Sequence, residues 1–505
     1  MADNRPGKAI ELRIPPYAAV QLGTSGPGPT HRRGTPPTVV EMDPETFLDL
    51  IAHTLTWDEA VRTNRVSASG AHADLSDLFS PDEDLCHGVA ASVEAAATIV
   101  NSFMSPTPLQ PDPRLSEATG ASVWLKREDL SPVRSYKLRG AYVLMHGLTD
   151  EQRAAGVVCA SAGNHAQGVA FACAALSIDG LVVVPTTTPR QKRERIAALG
   201  GSHVRLVVAG ETYDASSAIA RQIAVDEHRT LVPAFNHLAT VAGQGTVARE
   251  IVAQLGGRAP DVVVLPVGGG GLLAGCGSWL SQHCPQTTIV GVEPSGAACM
   301  AAALAAGHPV ELEHVDTFVD GAAVGQAGDV TFPLVQAFSP TMLAVSEGQV
   351  CSEMLALYQS DGVIAEPAGA LASSVLKGGP HDVTLTVTPG QTVVCVLSGG
   401  NNDISRYSEV IERSLVHEGR KHYLLVTFPQ EPGSLRRFLN EVLGPDDDIV
   451  LFEYTKKSNR EMGPALVGIE LGNPDDYPAL LARLAESPLT AEIVDPTSTL
   501  YRYLV

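Results

Sequence analysis

The feature that most restricts the fold is a repeated alternation, from about Ala90 to Leu415, of short β-branched runs with helical segments. Val157 to Ala160, Leu181 to Val184, Val204 to Val208, Val262 to Leu265 and Val393 to Leu397 read as strands. Parallel strands need long crossovers, and helices in those crossovers cover the sheet, so the pattern predicts an α/β domain with a mainly parallel sheet. The uncharged segment Val262 to Leu280 has the length of a membrane span, yet a proline and consecutive glycines interrupt it. It reads as a buried strand, turn and helix.

The pattern changes towards the C-terminus. Tyr423 to Phe428, Ile449 to Tyr454, Ala465 to Leu471 and Glu492 to Val494 read as strands, with helices at Leu435 to Leu443 and Ala479 to Ala485. That is the βαββαβ order of a ferredoxin-like domain. In its first helix Leu435, Phe438, Leu439, Val442 and Leu443 share one face, Ser434 is placed to cap the start, and Gly444-Pro445 ends it. No nucleophile, base or metal cluster accompanies this region, so it reads as a binding or regulatory module.

At the other end, residues 1 to about 40 are rich in Pro, Gly, Thr and Arg without apolar periodicity, and an arm without fixed structure is expected there. Phe47, Leu48, Ile51 and Leu55 suggest one amphipathic helix before an acidic, Ser-containing stretch. The divisions are therefore 1–84, a largely disordered extension; 85–416, the catalytic domain; and 420–505, the regulatory domain.

A chain of 505 residues exceeds one hydrophobic core. Its formal charge of −21 repels phosphate backbones and anionic headgroups, which argues against nucleic acid and membrane partners and leaves small molecules and proteins. The eight cysteines form no C-x-x-C pair, Cys276 and Cys284 being the nearest two, so neither a metal site nor a disulfide framework is indicated. A reducing cytoplasm fits, and no apolar stretch follows Arg32-Arg33 to make an export signal.

Four segments carry chemistry. Lys137 stands in Ser135-Tyr136-Lys137-Leu138-Arg139-Gly140-Ala141, beside an aromatic residue and at the start of an apolar helix. A desolvated lysine can form a Schiff base with an aldehyde cofactor, although a lone lysine is more often solvated surface. Ser161-Ala162-Gly163-Asn164-His165 lies between a strand and a helix, where free N–H groups attract a carboxylate or phosphate. An ordinary helix cap is the plainer explanation of that segment alone.

Gly268-Gly269-Gly270-Gly271-Leu272 again joins strand to helix, and without side chains its N–H groups can converge on a phosphate. Ser398-Gly399-Gly400-Asn401-Asn402 follows Val393 to Leu397. Ligands of open α/β sheets gather at the carboxyl ends of strands, so all four segments can face one crevice.

Taken in order, these segments resemble the fold type II pyridoxal-phosphate (PLP) enzymes, and most closely the biosynthetic threonine dehydratases, over about residues 85 to 505. The resemblance implies a tryptophan synthase β-like catalytic domain and a C-terminal ferredoxin-like (ACT-like) α+β domain. It further implies that Lys137 binds the PLP aldehyde, Tyr136 packs beside the ring, Asn164 bonds the 3-hydroxyl oxygen, Gly268 to Leu272 hold the phosphate, and Ser398 meets the pyridine nitrogen. Ser161, Ala162, Gly163, Asn164 and His165 would receive the substrate carboxylate. The implied reaction converts L-threonine to 2-oxobutanoate and ammonia, the first step of isoleucine synthesis, with L-isoleucine as feedback inhibitor and a homotetramer or dimer as the assembly. Tyr136 stands where many relatives have Phe.

Two other readings compete. Gly269, Gly271 and Ala274 fit a G-x-G-x-x-A fingerprint with Glu293 about 20 residues on, the pattern of an NAD-dependent oxidoreductase. Alternatively, an inactive catalytic domain could support an amino-acid sensor, against which the intact Lys137 argues.

Overall fold

In a computed structural model of the chain, residues 10–22, 38–51, 55–70, 73–76, 84–379, 382–454, 461–495 and 498–504 are described. They fall into two units, divided between Cys86 and His87.

The first unit is built on strands β1 (Ile10–Ile14), β2 (Ala18–Leu22), β3 (Thr38–Met42) and β4 (Val66–Ser69) in the order β2-β1-β3-β4. Alternation places Ile10, Leu12 and Ile14 on one face, where they pack with Val40, Met42, Leu50 and Trp57. Helix Pro44–Ile51 follows β3, and helix Trp57–Arg62 starts with a capping box between Thr56 and Glu59. The expectation of an unordered arm is thus wrong for residues 10–22 and 38–42; its remainder, 1–9 and 23–37, lies outside the described residues. Five-residue strands set among Pro, Gly and Arg leave little compositional trace, but three alternating apolar side chains suffice to anchor them.

The second unit holds β5 (Leu109–Pro111), β6 (Ser122–Arg127), β7 (Val157–Ala160), β8 (Gly180–Val184), β9 (Val204–Val208), β10 (Thr230–Leu231), β11 (Val262–Pro266), β12 (Thr288–Pro294), β13 (Thr341–Val345) and β14 (Thr392–Leu397). They form a six-stranded sheet, β13-β12-β11-β14-β6-β5, and a four-stranded one, β10-β7-β8-β9. Every pairing is parallel except β5 with β6. All residues of β8 and β11 are buried, as expected of strands covered by helices on both faces. The two lobes meet along helix Lys137–His146, which packs so tightly on helix Asn164–Leu176 that a β-carbon on Gly168 would lie 3.1 Å from Leu138 Cα.

Behind the Lys137 helix sits a buried ionic cluster. Arg139, wholly buried, donates to Glu128 at 2.8 and 2.9 Å and to Glu250 at 2.6 and 2.9 Å. Lys126 Nζ donates to Glu250 and to the Thr107 carbonyl, both at 2.7 Å. Burial alone would disfavour these charges, but Glu128 and Glu250 outweigh it at Arg139 and hold the guanidinium more firmly protonated than usual. Glu250 is correspondingly pulled down by Arg139 and Lys126 against its own desolvation.

The C-terminal strands β15 (Lys421–Pro429), β16 (Asp448–Tyr454), β17 (Met462–Glu470) and β18 (Thr490–Ile493) form an antiparallel sheet in the ferredoxin-like order β16-β17-β15-β18. Its second helix is Tyr477–Glu486. The first departs from expectation: one α-turn, Ser434–Arg437, runs into a π-helical turn, Phe438–Val442. Phe438 and Val442 are buried, whereas Leu435 and Leu439 are 42% and 44% exposed, because the wider π turn rotates them off the core face. Ser434 does not cap; its hydroxyl donates to the Pro429 and Glu431 carbonyls, and Gly433, at φ 95°, is the cap residue. All eight cysteines are buried. No helix among the described residues is long and apolar enough to cross a membrane.

Candidate active site

Three neighbouring parallel strands deliver the first part of the site. β6 leads through a short turn to Lys137, the first residue of its helix. β14, paired with β6, is followed at once by Ser398, and here the two segments are tied: Tyr136 N donates to Ser398 O at 3.1 Å, and Ser135 forms a β-bridge with Gly399. β11, on the other side of β14, ends in the glycine turn. Half-buried Lys137 has its Nζ 5.2 Å from the centre of the Tyr136 ring.

The glycine turn is closely packed. Gly270 has φ 89°, a conformation costly for other residues, and helix Gly271–His283 starts immediately after it. A β-carbon on Gly269 would overlap the Phe235 ring, and one on Gly270 would overlap Met300 Cε. Thr331 Oγ1 donates to the Gly269 carbonyl at 2.6 Å. The backbone is thereby held as a bare surface, with the N–H groups of the first helical turn lacking intrahelical partners and favouring an anion.

Asn164 comes from the smaller sheet, at the start of the helix after β7. Its Nδ2 donates to Glu366 Oε1 at 2.6 Å, and its Oδ1 accepts from Asn401 Nδ2 at 2.8 Å, so the amide is fixed across the two lobes. One Nδ2 hydrogen remains for a ligand. Glu366, buried before helix Pro367–Ser374, also donates its backbone N–H to Gly399 O at 3.1 Å. Burial, reinforced by the negative charge of Asp320, pushes its carboxyl up to about 7.

Around Asn164, Gly163 N donates to Ser161 Oγ at 3.2 Å, and the space beyond Gly163 is open. His165 is buried with Nε2 on the Val232 carbonyl at 2.8 Å, and burial lowers its pKa to about 4, so the ring is neutral at physiological pH. Ser398 Oγ donates to Ala368 O at 3.1 Å. Glu293, which the dinucleotide fingerprint would place on a ribose, is fully buried and spends both oxygens on Met300 N and Ala301 N at 2.8 and 2.9 Å. It caps a helix, and nothing supports the NAD reading.

The site fits PLP on its own geometry. Ser135 Oγ and His165 Nδ1, two buried polar atoms close in sequence to Lys137 and Asn164, have no hydrogen-bond partner among the described residues. A turn that admits no β-carbon precedes a helix start suited to phosphate, and the Lys137 amine, with no carboxylate partner among the described residues, opens the helix that follows a neighbouring strand.

Comparison with known proteins agrees. Residues 100–399 match the family described as pyridoxal-phosphate dependent enzymes, so fold and site define a PLP-dependent enzyme of fold type II. Residues 412–504 match the C-terminal regulatory domain of threonine dehydratase, and residues 1–80 match a family described as bacterial SCP ortholog. The biosynthetic L-threonine dehydratase of Mycobacterium tuberculosis is 56% identical over 417 residues, covering 82% of this chain and 96% of the relative. That of Corynebacterium glutamicum is 53% identical over 419 residues, covering 82% and 95%. The processed form of threonine deaminase isoform 2 from Solanum lycopersicum superposes with a TM-score of 0.61 at 35% identity, covering 66% of this chain and 94% of that one. The chain belongs to the biosynthetic L-threonine dehydratase family.

Sequence reading overlooked Glu366 and Phe235. An acid within Glu366-Pro367-Ala368-Gly369-Ala370, a stretch otherwise of small residues and proline, was the available signal for the first. For Phe235, 33 residues before the glycine turn, sequence offers none.

Proposed function

We propose that this protein converts L-threonine to 2-oxobutanoate and ammonia, with Lys137, Asn164, Gly268 to Leu272 and Ser398 holding PLP. The observation that carries this reading is the delivery of Lys137, Ser398 and the glycine turn by three adjacent parallel strands. Bound PLP supplies an electron sink for the α-carbon of an amino acid. Lys137 Nζ would hold the cofactor's aldehyde carbon and, when free, would take the α-proton of the substrate. Asn164, clamped by Glu366 and Asn401, would offer its remaining N–H to the cofactor's 3-oxygen, and Tyr136 would pack beside the ring. Neutral Ser398 would face the pyridine nitrogen, which would favour prompt loss of the β-hydroxyl over reactions that need a long-lived carbanion. Ser161 and the N–H groups from Ala162 to His165 receive the substrate carboxylate.

The regulatory domain carries a cavity of about 540 Å³ lined by Phe428, Phe452, Tyr454, Leu435, Leu439 and Arg436 among others. Apolar walls with one guanidinium, Arg436, and one carboxylate, Glu431, suit a branched-chain amino acid, and we assign isoleucine to it as feedback inhibitor. The working state we assign is a cytoplasmic homo-oligomer, a tetramer or dimer.

Purified protein incubated with L-threonine, with and without isoleucine, tests the whole reading. Expected are a yellow protein, keto-acid formation suppressed by isoleucine, and a fall of at least about a thousandfold with loss of colour in Lys137→Ala. A colourless protein that ignores added PLP and forms no keto acid would overturn it.

A further inference from the structure

Helix Arg190–Gly200 belongs to the smaller lobe, yet Lys192 Nζ reaches Asp320 Oδ2 at 2.8 Å, in the loop that crosses the larger lobe between helices Cys299–Ala306 and Thr331–Phe338. This loop is anchored on its own side. Arg406 Nη2 donates to Phe318 O at 2.6 Å, and the buried Phe318 ring lies between the guanidiniums of Arg406 and Arg413, at 4.7 and 4.4 Å. Two residues beyond Asp320 the loop abuts the glycine turn, with Ala322 Cα 3.0 Å from a β-carbon position on Gly268.

On the other side, Arg195 Nε donates to Gln167 Oε1 at 3.1 Å and ties the Arg190 helix to the helix that begins with Asn164. A cavity of about 220 Å³ beneath the ion pair is lined by Lys192, Asp320, Arg406, Asp403, Asn402 and Asn401, the last being the residue that holds the Asn164 amide.

We infer that Lys192 and Asp320 are positioning residues that latch the two lobes together and so fix Asn164 against Glu366 and Asn401 during turnover. The inference rests on the reaction proposed above. Lys192 touches neither substrate nor cofactor; it acts by setting where the smaller lobe stops relative to the larger one.

Charge reversal separates this role from simple support of the fold. Asp320→Lys, which sets like charges against Lys192 and Arg406, is expected to raise KM for threonine about tenfold, with a smaller change in kcat. Lys192→Met, which only removes the attraction, is expected to raise it about threefold. The reversed pair, Lys192→Asp with Asp320→Lys, should return KM to within about threefold of the wild type. Raising salt should raise KM in the wild type but not in Lys192→Met.

Release of bound PLP, followed by its fluorescence, reads the latch without turnover and should quicken in Asp320→Lys. It therefore separates failure of this inference from failure of threonine as substrate. Should Asp320→Lys not fold, Lys192→Met carries the same test. Wild-type KM and PLP release in Lys192→Met at both salt concentrations, or a reversed pair as impaired as Asp320→Lys, would overturn the latch.

Discussion

Two buried carboxylate sites flank the Asn164 and Lys137 helices and are treated in opposite ways. Behind Lys137, Glu128 and Glu250 face Arg139 and Lys126, and attraction holds Arg139 protonated and Glu250 ionised despite their burial. Beside Asn164, Glu366 is just as buried but faces an amide, and its proton is held up to about 7. A carboxylate paired with a buried cation becomes a fixed part of the frame. One left with only a neutral donor stays able to exchange its proton near physiological pH, as Glu366 does beside the Asn164 amide.

Removing the cation should break the contrast most severely. Arg139→Met leaves two buried carboxylates with only Lys126, and chemical denaturation should show a loss of about 3–5 kcal/mol. Next comes Glu366→Gln. Because the folded state raises this carboxyl above its ordinary 4.5, the stability it contributes is complete below that pH and is lost as pH rises through about 7. The wild type should lose on the order of 3 kcal/mol over that window from this group, and the variant should show a flatter stability profile. An ionisation near 7 in the wild-type kcat/KM profile should also vanish in the variant; its persistence would assign the titration elsewhere. The smallest effect is expected of Lys126→Met, about 1–3 kcal/mol by the same denaturation, since burial already pulls that amine towards its neutral form.

Much of both lobes was legible because they obey local rules. The strands at 157–160 and 204–208 begin and end where the β-rich runs do, and Lys137, Asn164 and the glycine turn sit in segments that point to a shared ligand only in combination. Glu366 escaped because its significance depends on Asn164 and Asn401, 202 and 35 residues away from it in sequence. Glu293 misled for the converse reason: its spacing matched a ribose ligand, but burial turned it into a helix cap. In the regulatory domain, a helical repeat of 3.6 put Leu435 and Leu439 inside, and a single π turn brought them out to line the cavity assigned to the effector.

The bridge between Ser135 and Gly399 makes one frame of two distant stretches of chain. Any engineer who transplants the lysine segment from a relative, to alter which amino acids are accepted, must carry the serine loop with it. Shifted alone, either piece would drag the other out of register and lose the alignment between the amine and the ring it serves.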